Sequence, residues 1–486
     1  MPLIDTIQAH APTTLAAAAV ATVAYSFLEP LLDNGPPGPY LWPVVGALPQ
    51  AASYLRRSAT HEFFDMVMKQ YGPIAKVRLT NHGTMYVTND AELARRILTS
   101  PEFVRSKLIL GLTHDFFDNA LFALTDERWK VHRKMLQPAF GPLHLRHATA
   151  VSEVVAKELA DAWSEMIDAS TDKEIVVDSF EFFKALTLDF MWASRRAGIE
   201  DYDQITFIVQ RRLNLQRFLW GSANIDPSSP ALLDVRGRIH GEVKNVVLER
   251  RKQMAENGGK PLRSGAEMDL LDRLLISSSD GTDVFSEDEI AGEVTGFFFA
   301  GHECVDLAMV ACMLVKHPEI QEKLAQEIDR VYEELKGNIT TENMYHFRYL
   351  DGVLKETQRL YPIVSALTRQ VTVPVEALGY RIPAGSRMTV HIRSLHRHPA
   401  YWDRPDDFIP ERWEKPPVPG SFVPFGDGQH NCIGQKLAQI EMRFVLIHLL
   451  RRFRFEEYAN QKVEFVSRMT FGLKNGFKVR VLKREH

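Results

Sequence analysis

The pattern of hydrophobic and polar positions predicts a mostly helical chain. Apolar residues recur at steps of three and four, which predicts one buried helical face formed by Val151, Val154, Val155, Leu159, Trp163 and Met166. Strand-like patterns are fewer: residues 73–88 predict a hairpin turning at 81–83, and residues 371–390 predict a second short sheet. The stretch 255–265 is typical of a flexible connector. We therefore expect a mainly α protein with small β-sheets, an α+β arrangement.

The longest apolar stretch predicts one buried helix near the middle of the chain. Ser286 and Glu289 have the spacing of a capping box, and no proline follows until Pro318. The stretch is apolar on nearly all sides, so we expect it to be buried. Its centre carries the sequence AGHEC at 300–304, in which a mid-helix glycine costs about 1 kcal/mol relative to alanine. Either the helix kinks there around a satisfied acid, or a ligand passes close to its backbone.

The N-terminal segment has a composition of its own. The stretch 11–28 contains no charged residue, and the first basic residue is Arg56. A membrane span needs about 20 mainly apolar residues, so this segment is marginal in length. We predict a membrane anchor at 1–33, a proline-rich hinge at 34–46 and a single folded domain at 47–486. The alternative is a loose Ala-rich tail or a soluble helix.

Composition and charge narrow the classes of function. The 486 residues carry a formal net charge of −4, which gives no support to nucleic-acid binding, since that normally requires a basic face. Three cysteines are too few for a disulfide framework and favour a reducing compartment. No glycine-rich dinucleotide fingerprint follows a predicted strand. Any chemistry must therefore come from a local motif of another kind.

One loop concentrates candidate chemistry. The sequence PFGDGQHNCIG at 424–434 places Cys432 just before a predicted helix at 435–452. A phosphate loop would need a lysine that is missing here, and His430 with Cys432 is too small a set for structural zinc. A helix N-terminus favours a thiolate, so Cys432 fits best as a thiolate ligand, with a lone nucleophilic cysteine as the alternative. Three glycines would let the backbone turn its amides toward the sulfur: Gly426, Gly428 and Gly434.

Three motifs, in order along the chain, carry a resemblance to a known family. The pattern Phe425-x-x-Gly428-x-x-x-Cys432-x-Gly434 resembles the haem-binding loop of the cytochromes P-450. Upstream, Glu356-x-x-Arg359 lies on one helical face. The sequence PERW supplies Arg412, which in that family joins the pair in a buried ion network. The resemblance runs from the proline-rich segment to the C-terminus, and it implies the P-450 fold, with haem between a long central helix and the cysteine loop.

The resemblance assigns cofactor contacts residue by residue. It implies that Cys432 is the axial thiolate ligand of haem b (iron protoporphyrin IX), and that Phe425 and Gly434 belong to the loop that holds the haem. It also implies four partners for the two haem propionates: Trp129, Arg133, Arg369 and His430. Many members carry arginine at the last of these positions. Cationic and indole donors suit carboxylates that would be costly to bury unpaired.

The central helix departs from the family pattern. The resemblance makes Glu303 the acid that feeds protons inward, and it places Cys304 where most members carry threonine. A thiol donates hydrogen bonds only weakly, so proton delivery here would differ from the usual route. The variable substrate pocket is expected at 106–120, at 205–220 and at five single positions: Phe299, Ala300, Val364, Ser365 and Phe471. Their mostly apolar character favours a lipophilic ligand.

The resemblance implies one main function and leaves two alternatives. We expect a haem–thiolate monooxygenase that inserts one atom of dioxygen into a lipophilic small molecule. Since the chain has no flavin or nicotinamide motif, NADPH electrons would come through a separate flavoprotein reductase. We expect the endoplasmic reticulum membrane, with the haem-binding catalytic domain facing the cytosol, or alternatively the soluble cytoplasm. The competing hypotheses are a P-450-type isomerase, dehydratase or peroxide-using enzyme, and a haem carrier or sensor without turnover.

Overall fold

A computed structural model describes most of the chain from residue 34 to residue 485. The predicted anchor at 1–33 lies outside the described residues, and the predicted division at 34–46 and 47–486 stays a prediction. Further segments outside the description are 43–44, 80–83, 107–119, 192–229, 262–267, 269, 280–284, 303–305 and 468–469.

Helices dominate the described chain, which confirms the predicted class of a mainly α fold with small sheets. The helices are α1 (Leu48–Arg56), α2 (Thr60–Tyr71), α3 (Ala91–Thr99), α4 (Asp126–Leu136), α5 (Pro142–Ala169), α6 (Ser179–Met191), α7 (Pro230–Glu256), α8 (Leu270–Ser279), α9 (Glu287–His302), α10 (Asp306–Lys316), α11 (Pro318–Glu334), α12 (Arg348–Leu360), α13 (Ile392–Leu395) and α14 (Gln435–Arg452). Short 3₁₀ turns at Pro410–Glu414 and Gly428–His430 precede α14.

The strands of the described residues form a five-stranded sheet and three smaller ones. They are β1 (Ile74–Val77), β2 (Met85–Thr88), β3 (Phe103–Arg105), β4 (Glu174–Asp178), β5 (Leu367–Val371), β6 (Val375–Ala377), β7 (Tyr380–Ile382), β8 (Arg387–Val390), β9 (Phe453–Glu457), β10 (Phe465–Ser467), β11 (Phe471–Leu473) and β12 (Lys478–Lys483). The main sheet has the order β1-β2-β8-β5-β3, and the smaller ones pair β4-β12-β9, β10-β11 and β6-β7.

The first of the two sheet predictions is confirmed, and the second is confirmed in part. In the predicted hairpin, β1 and β2 are antiparallel, with Ile74 opposite Thr88 and Val77 opposite Met85. Within 371–390, β6 and β7 form a separate two-stranded sheet, whereas β8 joins the main sheet by pairing with β2 in parallel and with β5 in antiparallel orientation. A parallel pair joins strands far apart in sequence, so the local pattern could not identify this partner.

The helix α5 packs against α14, and its buried face agrees with the predicted one only in part, since Trp163 is buried and Val155 and Leu159 pack against the core. Val151, Val154 and Met166 are exposed, with Val154 at 53%. The buried side includes four small residues among its seven members: Leu145, Thr149, Ser152, Ala156, Ala160, Trp163 and Ile167. The distance between packed helices depends on the side chains at the contact, and small ones permit a close approach. The apolar period therefore predicted the helix correctly but only half of its inner face.

The central helix region lies in the core. The predicted capping box opens α9: the Ser286 amide donates to Glu289 Oε2 at 2.8 Å, and the Glu289 amide donates to Ser286 Oγ at 3.2 Å. The region Glu287–Lys316, whose described parts are α9 and α10, is long and apolar enough to cross a membrane, and 77% of its most apolar window is buried within the protein. That burial is the behaviour of a core helix.

The proline-rich segment 34–46 lies against the edge of the main sheet. The Lys76 amide of β1 donates to the Pro37 carbonyl oxygen at 2.9 Å. A Cβ on Gly38 would overlap the carbonyl oxygen of Lys76, so only glycine permits this approach. The segment is therefore built onto β1, and its role as a hinge stays a prediction.

Candidate functional site

Cys432 lies three residues before the start of α14, close to the amides of the first helical turn. Its own amide donates to the Phe425 carbonyl oxygen at 2.9 Å, which closes the loop. Burial is the largest influence on the thiol and raises its pKa, while the backbone of Gly434, the guanidinium of Arg133 and the backbone of Gln435 lower it by less. The helix start thus favours the thiolate as expected, but burial outweighs it.

The surroundings of Cys432 suit a metal ligand better than a free nucleophile. The side chain is accessible to solvent, although the surrounding protein is close enough for burial to dominate its pKa. A raised pKa makes a thiol a poor nucleophile, whereas a bound metal cation deprotonates it outright. No group of three or more His, Cys, Asp or Glu among the described residues could hold a metal ion. A metal bound by Cys432 would therefore need further ligands from outside the described residues.

Two of the three loop glycines are required by their backbone conformation. Gly426 and Gly428 have φ angles of 72° and 69°, in the left-handed region. At Gly428, a Cβ would also lie 2.6 Å from the Leu98 carbonyl oxygen. Gly434 differs, because it is the N-cap residue of α14 with a φ of −85°. Its contribution is the amide next to the thiol rather than an unusual conformation.

The helix α4 brings two of the predicted cofactor contacts to the loop. Arg133 Nη1 and Nη2 donate to the carbonyl oxygen and Oδ1 of Asn431 at 2.9 and 2.8 Å. One helical turn earlier, the Trp129 ring packs on His430 with ring centroids 3.9 Å apart. Burial, followed by three nearby arginines, lowers the pKa of His430 to about 3. Its imidazole is therefore neutral at physiological pH, and Nδ1 has no hydrogen-bond partner among the described residues.

The strands β3 and β5 place two arginines opposite each other. Their register pairs Arg105 with Arg369, and like charges directly opposite are unfavourable on a sheet. Arg105 donates to the carbonyl oxygens of Leu121 and Leu124 at 3.1 and 3.0 Å, while Arg369 Nε has no partner among the described residues. Burial lowers the pKa of both guanidinium groups to about 10. Sequence reasoning missed Arg105, because only the strand register brings it to the site.

These arginines give the site an excess of positive charge, and all three act on His430 beside the cysteine loop. Within the described part of the chain, no carboxylate forms an ion pair with Arg105, Arg133 or Arg369, whose hydrogen bonds go to backbone oxygens and to Asn431. Buried cations normally have partners, so the cluster suits an anionic group. A single thiolate and a cluster of cations together fit a metal macrocycle with carboxylate arms.

Glu356, Arg359 and Arg412 lie together in a buried ion network. Arg359 Nε and Nη2 donate to the two carboxylate oxygens of Glu356 at 2.9 and 2.8 Å, and Arg412 Nε donates at 2.8 Å. Trp413 Nε1 adds a further hydrogen bond to Glu356 at 3.0 Å. The remaining donors of Arg359 bind carbonyl oxygens between 396 and 407. The network thus ties α12 to the segment that leads into the cysteine loop.

Only part of the predicted distal wall lies within the described residues. Phe299 is buried near the end of α9 and stacks on Phe122, with ring centroids 6.2 Å apart. Ala300 is exposed on a helix that is otherwise mostly buried. Outside the described residues lie Glu303, Cys304, the whole of 205–220 and all of 106–120 except its two end residues.

The other predicted pocket residues lie close to one another. The Phe471 amide of β11 donates to the Ile363 carbonyl oxygen at 2.7 Å, which brings β11 beside Val364 and Ser365. The Phe471 ring is buried and stacks on Phe465 at 5.1 Å. Val364 and Ser365 are half-buried. Phe471 therefore belongs to a packed wall behind the more open 364–365 segment.

Comparison with known proteins places this geometry in context. The chain is 28% identical over 450 residues to cytochrome P450 4d2 of Drosophila melanogaster, with 86% of this chain and 88% of the relative covered. It is 28% identical over 424 residues to cytochrome P450 4V2 of Homo sapiens, with 81% and 77% covered. It is 27% identical over 519 residues to thromboxane-A synthase of Sus scrofa, with 96% and 94% covered.

A family model gives the assignment that these relatives share. The model described as Cytochrome P450 matches residues 36–476, which is most of the chain and includes both the ion network and the cysteine loop. The resemblance carried by the three sequence motifs is thereby confirmed. The chain belongs to the cytochrome P450 family of haem–thiolate monooxygenases.

Proposed function

We propose that Cys432 is the axial thiolate ligand of a haem b in this chain, and that the enzyme inserts one oxygen atom from dioxygen into a lipophilic small molecule. Family membership implies a haem held by a cysteine thiolate, and the residue assignments are our proposal. The observation that carries it is the meeting of one thiol, three arginines without a described carboxylate partner, and a packed Trp–His pair at one loop.

The chain would hold the haem through two sets of residues, one around the Cys432 sulfur and one at the haem carboxylates. Around the sulfur, the amides of Gly434 and Gln435 disperse the thiolate charge, while Phe425 accepts the Cys432 amide and closes the loop. The haem carboxylates would meet the donors Arg105, Trp129, Arg133, Arg369 and His430. When bound, the haem supplies dioxygen activation, which a thiolate ligand favours.

The substrate side and the electron source complete the proposal. Phe299, Ala300, Val364, Ser365 and Phe471 would form the lipophilic pocket, together with the ranges 106–120 and 205–220. Glu303 would deliver protons, with Cys304 as a weak donor beside it. NADPH electrons would arrive through a partner flavoprotein reductase.

The central test replaces each of the two cysteines in the described part of the chain by serine, in separate variants. Cys432→Ser should abolish the red-shifted Soret band of the reduced carbon-monoxide complex, because a hydroxyl does not replace the thiolate ligand. Cys312→Ser is the matched control, since Cys312 is buried in α10 and its pKa is raised to about 11 by burial. A red-shifted band that survives Cys432→Ser would overturn the assignment.

One sequence feature and one relative favour a second function. Cys304 replaces the threonine that is usual in the family, and a relative aligned over 94% of its length is named thromboxane-A synthase rather than by a P450 number alone. We therefore keep a P450-type isomerase, dehydratase or peroxide-using enzyme as the alternative. Substrate-dependent NADPH consumption with a generic P450 reductase supports the monooxygenase. Product formation without NADPH supports the alternative.

The location of the protein is a separate proposal. The uncharged stretch 11–28 supports attachment to the endoplasmic reticulum membrane, with the catalytic domain facing the cytosol. Deleting 1–33 should move the protein to the soluble fraction and leave haem incorporation intact. A full-length chain that is soluble without detergent would favour the cytoplasm instead.

A further inference from the structure

We propose that a buried pair, His132 and Glu293, is a clasp that positions the cationic donors of the haem site. The clasp consists of these two side chains and joins α4 to α9. The inference rests on the proposed haem site and extends it, because it concerns residues that would never touch the haem. His132 lies on α4 between Trp129 and Arg133, the two residues of that helix that reach the cysteine loop.

The contact within the clasp is short and enclosed. His132 Nδ1 lies 2.6 Å from Glu293 Oε1, and neither side chain is more than 1% exposed. The His132 ring also packs edge-on against Phe285, with centroids 4.5 Å apart. A hydrogen bond in such surroundings is stronger than one in water, and removing one partner leaves the other unsatisfied. The clasp therefore fixes α4 on α9.

A second carboxylate, that of Glu289, lies near the other ring nitrogen of His132. Glu289 Oε1 lies 3.4 Å from His132 Nε2 and is paired with Arg128. Burial opposes ionisation of Glu289, yet Arg128 and Ser286 together hold its pKa at about 2. Glu289 is thus ionised at neutral pH, and both nitrogens of His132 face α9 carboxylates. Among the described residues only Nδ1 makes a hydrogen bond, so the contact with Glu293 sets the imidazole orientation and Glu289 adds a nearby negative charge.

The other arm of the clasp holds the turn 120–124. The backbone of Leu121 hydrogen-bonds Glu293, and the pKa of Glu293 is raised overall by its burial. One helical turn later, a Cβ on Gly296 would lie 2.9 Å from Ala120 Cβ, so the turn is packed tightly on α9. The same turn supplies the carbonyl oxygens that bind Arg105.

These contacts form a continuous series that links Arg105 to the helix carrying Trp129 and Arg133. Arg105 is held by the turn 120–124, the turn by Glu293, Glu293 by His132, and His132 belongs to the helix that carries Trp129 and Arg133. Because the arginines of the site repel one another, they stay together only if the scaffold holds them. The clasp is the point at which the scaffold of Arg105 and the scaffold of Arg133 meet.

The test measures how firmly the full-length protein keeps its haem. Glu293→Gln and His132→Leu should each accelerate haem transfer to excess apomyoglobin by about tenfold or more, the size typical of residues that orient metal-site ligands. The red-shifted carbon-monoxide band should keep its position, since Cys432 is unchanged. His132→Gln keeps a side-chain donor and should restore most of the retention. The control is the exposed Lys130–Glu127 pair on the same helix, whose alanine variants should behave like the wild type.

A double variant separates positioning from general stability. If the clasp acts through the cations, Glu293→Gln combined with Arg133→Gln should accelerate haem loss by less than the product of the two single effects. Effects that multiply, or a variant with lower thermal stability of the haem-free chain but wild-type haem retention, would overturn the clasp. A wild-type chain that takes up no haem would overturn the proposed function as well, so the two failures are distinguishable.

Discussion

The protein contains two groups of buried arginines that differ in one respect. Arg359 and Arg412 share the carboxylate of Glu356, and their remaining donors bind backbone carbonyl oxygens. Arg105 and Arg369 face each other across β3 and β5 without a carboxylate partner among the described residues. The first group satisfies itself within the chain, whereas the second keeps an unbalanced positive charge.

The difference separates a structural role from a binding role. A buried ion network that is complete in the protein alone gives no reason to expect a ligand, and its value lies in joining α12 to the segment before the cysteine loop. A buried group of like charges is unfavourable in the protein alone, because desolvation and repulsion add. Such a group is expected where a ligand of opposite charge offsets the repulsion, and the carboxylates of the proposed haem would do so.

The largest expected effect comes from breaking the complete network. Glu356→Ala leaves two buried guanidinium groups without their carboxylate, which should cost about 3–5 kcal/mol. Arg359→Ala should have a similar effect, since it leaves Glu356 under-paired. We expect little haem-loaded protein from either variant, measured as the yield of the carbon-monoxide band.

The control for this prediction lies next to the network. Glu411→Ala removes an exposed partner of Lys323 and should change stability by less than about 1 kcal/mol. Normal yields of Glu356→Ala would contradict the structural role of the network.

The next effect concerns an incompletely paired acid beside the network. Asp306 Oδ2 accepts from Gln358 Nε2 at 2.8 Å, but Oδ1 has no partner among the described residues. Burial raises the pKa of Asp306 from 3.8 to about 6, more than the Gln358 hydrogen bond lowers it. The folded state therefore binds the proton more tightly than the unfolded state, and stability falls as pH rises from about 4 to 6.

Asp306→Asn should remove that dependence. At pH 8 the variant should be more stable than the wild type by roughly 2–3 kcal/mol, and the gain should shrink as the pH is lowered toward 4. Urea unfolding of the haem-loaded protein at pH 8 and pH 5 measures the difference. A gain of equal size at both values would show that ionisation of Asp306 is not its source.

Removing a charge from the Arg105–Arg369 group should not destabilise the haem-free chain, whereas removing Glu356 should destabilise the protein. Arg369→Gln relieves the repulsion with Arg105, so the haem-free chain should be unchanged or more stable by up to about 1 kcal/mol. The same variant should lose haem faster, measured by transfer to apomyoglobin. Arg381→Gln, at an exposed position of β7, is the control. A haem-free Arg369→Gln chain that is strongly destabilised would show that the two arginine groups play the same role.

The smallest expected effect leaves both arginine groups untouched. Cys304→Thr is nearly isosteric and supplies the hydroxyl donor that a thiol replaces poorly. With a substrate that lacks a nearby hydroxyl, the variant should release less hydrogen peroxide per NADPH consumed, while haem binding is unchanged. An unchanged or larger peroxide fraction would mean that proton delivery does not depend on this position, which would favour the alternative function.

Local sequence spacing is sufficient to predict some features of the fold and of the candidate site. Glu356 and Arg359 are three residues apart on one helix, and Ser286 and Glu289 form a capping box within one turn, so short-range geometry determines both pairs. The start of α14 after Cys432 was predictable for the same reason. The main α character followed from apolar periodicity alone.

Other features depend on how distant elements pack, and no local pattern contains that information. Arg105 reaches the site because β3 takes one register against β5, and His132 meets Glu293 because α4 crosses α9. On α5, the predicted inner residues Val151 and Val154 are exposed, whereas Ser152 and Ala156 are buried although they are less apolar. Helix docking, rather than hydrophobicity of the single helix, decided that face.

The wide separation of the site residues along the chain has a consequence for biosynthesis. Arg105 leaves the ribosome long before Cys432, and the sheet that orients it also requires β5 and β8 from the later part of the chain. Domains fold as units once their parts are available, at a synthesis rate of about 5–20 residues per second. During that interval the nascent chain carries the arginines but not the thiol. With Cys432 as the proposed ligand, haem insertion follows the synthesis of nearly the whole chain, after the strands that orient Arg105 have been made.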